Sequence, residues 1–266
     1  MLAVEFAHLS DVGKVREHNE DYVGHAEPAN PEQVRGHGWL FALADGVGGQ
    51  DRGEVASRTA IESVLAGFQK AASGEPPVSL LQRLVQQANT KVYETALATG
   101  PGGSNMATTV VACLLRYDRA IVAHVGDSRC YLIRRGHASQ LTRDHTVAGE
   151  QARMGLLSQE EASESHSRHV LSRSLGTNLV VNVDIDEHQV LAGDVLLMCC
   201  DGMHGAISPQ EMASLVSKSS DLNLAAQHLV ALANEKDGSD NISVQLIRIL
   251  SVERIGMYRG RPYKLR

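Results

Sequence analysis

Only four cysteines occur in 266 residues, at 113, 130, 199 and 200, and none belongs to a Cys-x-x-Cys pair. All four sit in apolar, strand-like stretches. They read as small core residues of a reducing compartment, not as bridges, a zinc pair or a nucleophilic thiolate. Long apolar runs are also missing. No stretch approaches the roughly 20 residues of a membrane span. The start, Met1-Leu2-Ala3-Val4-Glu5-Phe6, has no basic region followed by an apolar one, so no signal peptide is expected. A cytoplasmic protein without membrane association is the expectation. No segment repeats at a fixed period. A basic excess is absent too: 25 Lys+Arg face 31 Asp+Glu, a net charge of −6, and nothing global points to nucleic acid. The charge is uneven, however. Arg248 to Arg266 carries six Lys/Arg against one acid, which reads as a solvated basic tail over 251–266. A docking segment for an acidic partner is the alternative reading.

What is present is a pair of look-alike stretches. Trp39-Leu40-Phe41-Ala42-Leu43-Ala44 runs into Asp45-Gly46, and Val195-Leu196-Leu197-Met198-Cys199-Cys200 runs into Asp201-Gly202. A short continuous apolar run is the pattern of a strand buried on both faces. A carboxylate at the end of such a strand is costly unless a positive group sits against it. A divalent cation is the natural occupant, since hard cations take oxygen ligands.

Coarse periodicity places the rest. Strands are expected over 4–9, 22–25, 108–116, 119–125, 130–134, 138–141, 182–189 and 242–250. Helical spacing of apolar residues marks 54–72 and 80–97, separated by Ser73-Gly74-Glu75-Pro76-Pro77. Two further helices follow Ser208-Pro209-x-Glu211 and start near Leu222. Hairpin-linked strands with helices in pairs argue for an α+β layered domain.

Three more acidic sites stand at strand ends: Glu20-Asp21, Asp127 and Asp240. A lone Asp-Gly is usually a turn. Five such places in one small domain would repel one another as bare carboxylates, and bound divalent ions would resolve that. Two ions sharing carboxylates lower the pKa of a water and stabilise charge on a phosphoryl oxygen. Arg16 is the candidate for a bidentate hold on phosphate. The histidines show no His-x3-His pattern and read as surface or hydrogen-bonded residues.

Six short motifs occur in order: Arg16-x-x-Asn19-Glu20-Asp21, Asp45-Gly46-Val47-Gly48-Gly49, Ala107-Thr108-Thr109, Gly126-Asp127-Ser128-Arg129, Asp201-Gly202 and Ser239-Asp240-Asn241. Together they resemble the metal-dependent Ser/Thr protein phosphatases of type 2C, in their compact bacterial form. The resemblance runs from about Ser10 to Ile249.

It implies a four-layer αββα sandwich, two antiparallel sheets flanked by helix pairs, as a catalytic domain over 1–250. It implies two Mn²⁺ or Mg²⁺ ions and a third, weaker one. Asp45 would bridge the pair. Asp201 and Asp240 would hold one ion, and the Gly46 carbonyl the other. Glu20 and Asp21 would act through metal-bound waters, and Asp127 with Asp201 would hold the third ion. Arg16 would bind the substrate phosphate, and a metal-bridged hydroxide would attack it directly. A mobile flap is implied at about 147–168, within reach of His166 and His169. Implied partners are phosphoproteins and a Ser/Thr kinase, with the enzyme a monomer. Many eukaryotic relatives carry a histidine after the first Asp-Gly as leaving-group acid; here Val47 stands there. The rival readings are a phosphoprotein-binding pseudophosphatase and a hydrolase of small phosphate esters.

Overall fold

The apolar run after Gly38 forms a fully covered strand, β3, and shows how the layers arise. The computed structural model describes residues 1–47, 52–99, 106–258 and 261–264. Gly48 and Gly49 of the second motif lie outside them. In order come β1 (Ala3–Asp11), β2 (Asp21–Ala26), α1 (Pro31–Gly36), β3 (Trp39–Asp45), α2 (Gly53–Gln69) and α3 (Pro77–Ala98). Then follow β4 (Val110–Arg116), β5 (Arg119–Val125), β6 (Arg129–Arg134), β7 (His137–Gln140), α4 (Val147–Arg153), α5 (Gln159–Glu164) and a 3-10 turn (His166–His169). The chain continues with β8 (Asp184–Gln189), β9 (Val195–Cys199), α6 (Asp201–His204), α7 (Pro209–Lys218), α8 (Leu222–Lys236), β10 (Ile242–Ser251), β11 (Ile255–Tyr258) and β12 (Arg261–Lys264).

Successive side chains of a strand point to opposite faces. In β3, Leu40, Ala42 and Ala44 pack with Ile61, Val64, Leu81 and Leu84 of α2 and α3. Phe41 and Leu43 face the other way, into a core shared with Phe6, Leu196 and Ile247 of the second sheet. That second core continues into Met212, Val216, Leu229 and Val230 of α7 and α8. The result is four layers, helix pair, sheet, sheet, helix pair, as the resemblance implied. The sheets run β2-β3-β4-β5-β8 and β1-β10-β9-β6-β7, antiparallel throughout.

Three elements differ from the sequence reading. Asn30 caps α1 by accepting the N–H groups of Glu32 and Gln33, with Pro31 at its first turn. Asp201-Gly202 does not end in a turn but opens the short helix α6. Within the basic tail, β11 and β12 pair with each other and with no other strand among the described residues. Residues 147–170 form an excursion closed at its neck by a bridge between Thr146 and Leu171. Its helix α5 opens on the capping box Ser158–Glu161. No helix among the described residues is long and apolar enough to cross a membrane.

Candidate metal centre

Antiparallel pairing is what first brings the acids together. In the β2–β3 register Asp21 stands directly opposite Asp45. Asp201 follows β9, and Asp240 precedes β10, its antiparallel neighbour. Asp127 sits between β5 and β6, at the crossing from the first sheet to the second. Asp45 and Asp201 therefore arrive from opposite sheets.

The electrostatics show how close these groups are. Burial first, then the charges of Asp21, Asp201, Asp127 and Asp240, push Asp45 well above the usual carboxylate range. Burial raises Asp21 to about 7 and Asp127 to about 7, with Asp201 adding to both. Asp201 is raised by burial and by Asp240. Glu20 is raised chiefly by burial. Arg16 is the cation beside them: its Nη2 donates to Asp240 Oδ2 at 2.8 Å, with the guanidinium 41% exposed. The structure thus places Glu20, Asp21, Asp45, Asp127, Asp201, Asp240 and Arg16 in one region.

Backbone clamps hold the acids in place. Asp45 N–H donates to Thr109 Oγ1 at 2.9 Å, and Thr108 Oγ1 donates to Asp45 O at 2.7 Å. The double threonine is thus a brace for Asp45. Gly46 N–H donates to Glu20 O at 3.1 Å, locking the second motif onto the first. Asn241 is the junction between chain halves. Its Oδ1 accepts Glu20 N–H at 2.8 Å, and its Nδ2 donates to Val12 O at 2.9 Å and His18 O at 3.0 Å. Gly202 packs against the Asn241 carbonyl so closely that any Cβ there would overlap the oxygen. Its role is close approach, beyond the turn freedom first suggested.

Two histidines hold the Asp127 corner. His145 Nδ1 accepts Gly126 N–H at 3.1 Å, the His145 backbone N–H donates to Gly126 O at 3.0 Å, and His204 Nε2 lies 3.0 Å from Asp127 O. With Nδ1 accepting, the neutral ring of His145 keeps its proton on Nε2, which faces Asp184 Oδ2 at 3.3 Å. His124, His145 and Asp184 are close enough to ligate an ion together. Binding through Nε2 would require an imidazolate, and Arg173 already donates to Asp184 Oδ1 at 2.8 Å. The trio is therefore a brace. Arg173 also reaches Glu150 of α4 at 3.2 Å, tying the excursion to the Asp127 strand end.

Three further positions bear on the chemistry. Val47, 39% exposed, offers no proton at the place where a histidine would stand. His169 of the 3-10 turn brings Nδ1 to 3.9 Å from Asp201 Oδ2, while His166 makes no such approach to the acids. Cys113 and Arg119 have the Cys-x5-Arg spacing of a thiolate phosphate loop, a spacing the cysteine reading overlooked. They sit on the paired strands β4 and β5, and burial pushes the fully enclosed Cys113 thiol to about 12, so no nucleophile forms there.

The residues fit a divalent centre on their own chemistry. Both carboxylate oxygens of Asp21 are buried without a hydrogen-bond partner, in a protein where such groups are nearly always paired. Around them stand oxygen donors of one sign, the set that hard cations select.

A two-sheet α+β sandwich with an acidic centre between its sheets defines a class, and the comparisons agree. The family model "Protein phosphatase 2C" matches residues 8–242, and the chain belongs to that family. A serine/threonine phosphatase, stp, of Listeria innocua is 31% identical over 255 residues, covering 95% of this chain and 96% of its own. The S. agalactiae serine/threonine phosphatase structure superposes with a TM-score of 0.84 at 30% identity, over 93% of this chain and all of the other. The catalytic domain of the phosphatase PstP, solved with two manganese ions, gives 0.79 at 29% identity over 94% and 100%.

The raised carboxyls make a testable pH signature. Asp21 and Asp127 have folded values above the ordinary value of about 3.9. A carboxyl raised on folding contributes stability at low pH that is lost as pH climbs through its folded value. The metal-free protein loses this contribution between about pH 4 and pH 7. A divalent ion takes the place of the protons. Its stabilising increment is therefore expected to grow from about pH 5 to about pH 8. Melting curves with Mn²⁺ and with EDTA across that range check this; an increment flat with pH would contradict it.

Proposed function

We infer that this protein is a metal-dependent protein Ser/Thr phosphatase that hydrolyses phosphoserine and phosphothreonine. The observation that carries this is the convergence of Asp21, Asp45, Asp127, Asp201 and Asp240 from both sheets beside Arg16, with Asp21 left unpartnered. Asp45 would hold two ions, Mn²⁺ or Mg²⁺. Asp201 and Asp240 would hold one of them, and the Gly46 carbonyl the other. Asp127 with Asp201 would take a third. Glu20 and Asp21 would act mostly through metal-bound waters. Such ions supply a nucleophile from water near neutral pH and offset charge on the phosphoryl group.

The chain's own side chains do the rest. Arg16, held by a single contact to Asp240 and open to solvent, can turn its guanidinium to phosphate oxygens and orient the ester. The clamps on Asp45 and Glu20 fix the acids before substrate arrives, so little reorganisation remains for the transition state. A cytoplasmic monomer opposing a Ser/Thr kinase completes the proposal; the match to bacterial Ser/Thr phosphatases over 95% of the chain supports action on phosphoproteins. Residues at about 147–168 would be its flap, and His169, just beyond it, already reaches Asp201.

The test is release of phosphate from a phosphothreonine peptide and from a small aryl phosphate, with Mn²⁺, with EDTA and in Asp201→Asn. Turnover is expected on the peptide with Mn²⁺ only and absent in the variant. Metal-independent turnover, or preference for the small ester, would sink the reading.

A further inference from the structure

One buried donor near the acids belongs to none of the roles above. Cys200 Sγ, fully buried, lies with carboxylate oxygens of Asp21 and Asp45 so that all three ligand atoms fall within 4.8 Å of one another. Asp21 is 8% exposed, and neither of its oxygens has a well-aligned hydrogen bond; the Cys200 thiol and the Ser243 hydroxyl stand near enough to offset part of its burial. The other three cysteines join no such group among the described residues.

We propose that Cys200, Asp21 and Asp45 form a thiophilic metal site at the inner end of the acidic centre, selecting Cd²⁺ or Zn²⁺ over Mn²⁺ and Mg²⁺. The donor set decides the class of ion. Hard cations take oxygen and gain little from sulfur, whereas zinc-like ions bind Cys and carboxylate together. Three protein ligands and one open position are a common count for zinc. The thiol need not ionise beforehand. The ion displaces its proton to solvent as the metal–sulfur bond forms.

The surroundings suit that sulfur. Ser243 N–H donates to Cys200 Sγ at 3.1 Å, and this bond survives when the thiol becomes a thiolate. The weak S–H contacts to Asn241 O at 3.3 Å and Ser243 O at 3.8 Å are given up. Backbone donors of this kind hold and tune metal ligands. One functional consequence follows, and it alone rests on the phosphatase reading. Asp45 cannot serve both sites fully, so a soft ion at Cys200 withdraws it from the hydrolytic pair and inhibits.

The experiment titrates metal-free protein with Cd²⁺ alone and reads the ultraviolet cadmium–thiolate charge-transfer band. One thiolate per bound ion is expected in the unaltered protein and in Cys113→Ser, and none in Cys200→Ser. Cadmium affinity should fall at least about 10-fold in Cys200→Ser, the lower end of what a lost supporting contact costs. Retained Mn²⁺-dependent hydrolysis in that variant shows that it folds. X-ray absorption at the cadmium edge of the unaltered protein gives the same answer without any substitution: one sulfur in the shell supports the site, and oxygen alone overturns it. A band that persists in Cys200→Ser also overturns it. Hydrolysis with Mn²⁺ but no cadmium–sulfur signal refutes this site and leaves the phosphatase intact. The reverse pair of results refutes the phosphatase and leaves the site.

Discussion

Asp45→Asn is expected to remove metal-dependent phosphopeptide hydrolysis by more than about 100-fold, beyond the usual cost of losing a residue behind a metal ligand. The amide keeps the volume of the carboxylate. The backbone clamps from Thr108 and Thr109 do not touch the side chain and survive. The charge is lost, and one acceptor oxygen becomes an NH2 donor facing Asp201. Asp45 is packed against four other acids, so its removal relieves repulsion in the metal-free protein. The melting temperature in EDTA should therefore hold or rise, while the increment from Mn²⁺ disappears. That opposed pair separates a lost ligand from a damaged fold. An Asp45→Asn protein that is destabilised in EDTA yet still stabilised by Mn²⁺ would refute the bridging role.

Asn241→Ala should act through the fold instead. It removes three hydrogen bonds from a residue only 5% exposed, those to Glu20 N–H, Val12 O and His18 O. At about 1 kcal/mol net each, the loss is about 3 kcal/mol. For a chain of this size that lowers the melting temperature by about 6–12 °C. Glu20 and Asp21 lose their anchor at the same time, so Mn²⁺ affinity should weaken about 10- to 100-fold. Asn241→Asp keeps the shape but turns the Nδ2 donor into an acceptor facing two carbonyls. It should be no better than Ala. A melting curve and a Mn²⁺ titration on both variants check this. Unaltered stability in either would show that the junction is dispensable.

The acids themselves were legible because a carboxylate after an apolar run is a costly thing to write into a sequence. Asp45 and Asp201 announced themselves that way, and β3 and β9 lie within one residue of the expected spans. Helix ends were legible where caps are local, as at Ser208–Glu211. What stayed hidden depends on partners far along the chain. Asn241 bonds to residues over 220 positions away, and nothing in Asp240-Asn241 says so. The double threonine was visible as a motif, but its work on the Asp45 backbone spans more than 60 positions. His145 read as a surface or hydrogen-bonded residue; it is the second, wholly buried under the Asp127 corner, a partner that no local pattern names. The helix α1 escaped notice because six residues with one buried side chain, Val34, carry almost no periodic signal.

The pairing of β1 with β10 joins Ala3 through Asp11 to Ser251 through Ile242 along the whole length of the strand. On a translating ribosome the first of these strands emerges more than 230 positions ahead of its partner. At ordinary synthesis rates the wait is on the order of tens of seconds. Throughout it, the nascent chain carries an unpaired edge and half a set of acids, a state prone to aggregate and unable to turn over a phosphoprotein. Activity thus switches on only after β10 has been made, so no translation product that stops short of it can act as an unregulated phosphatase.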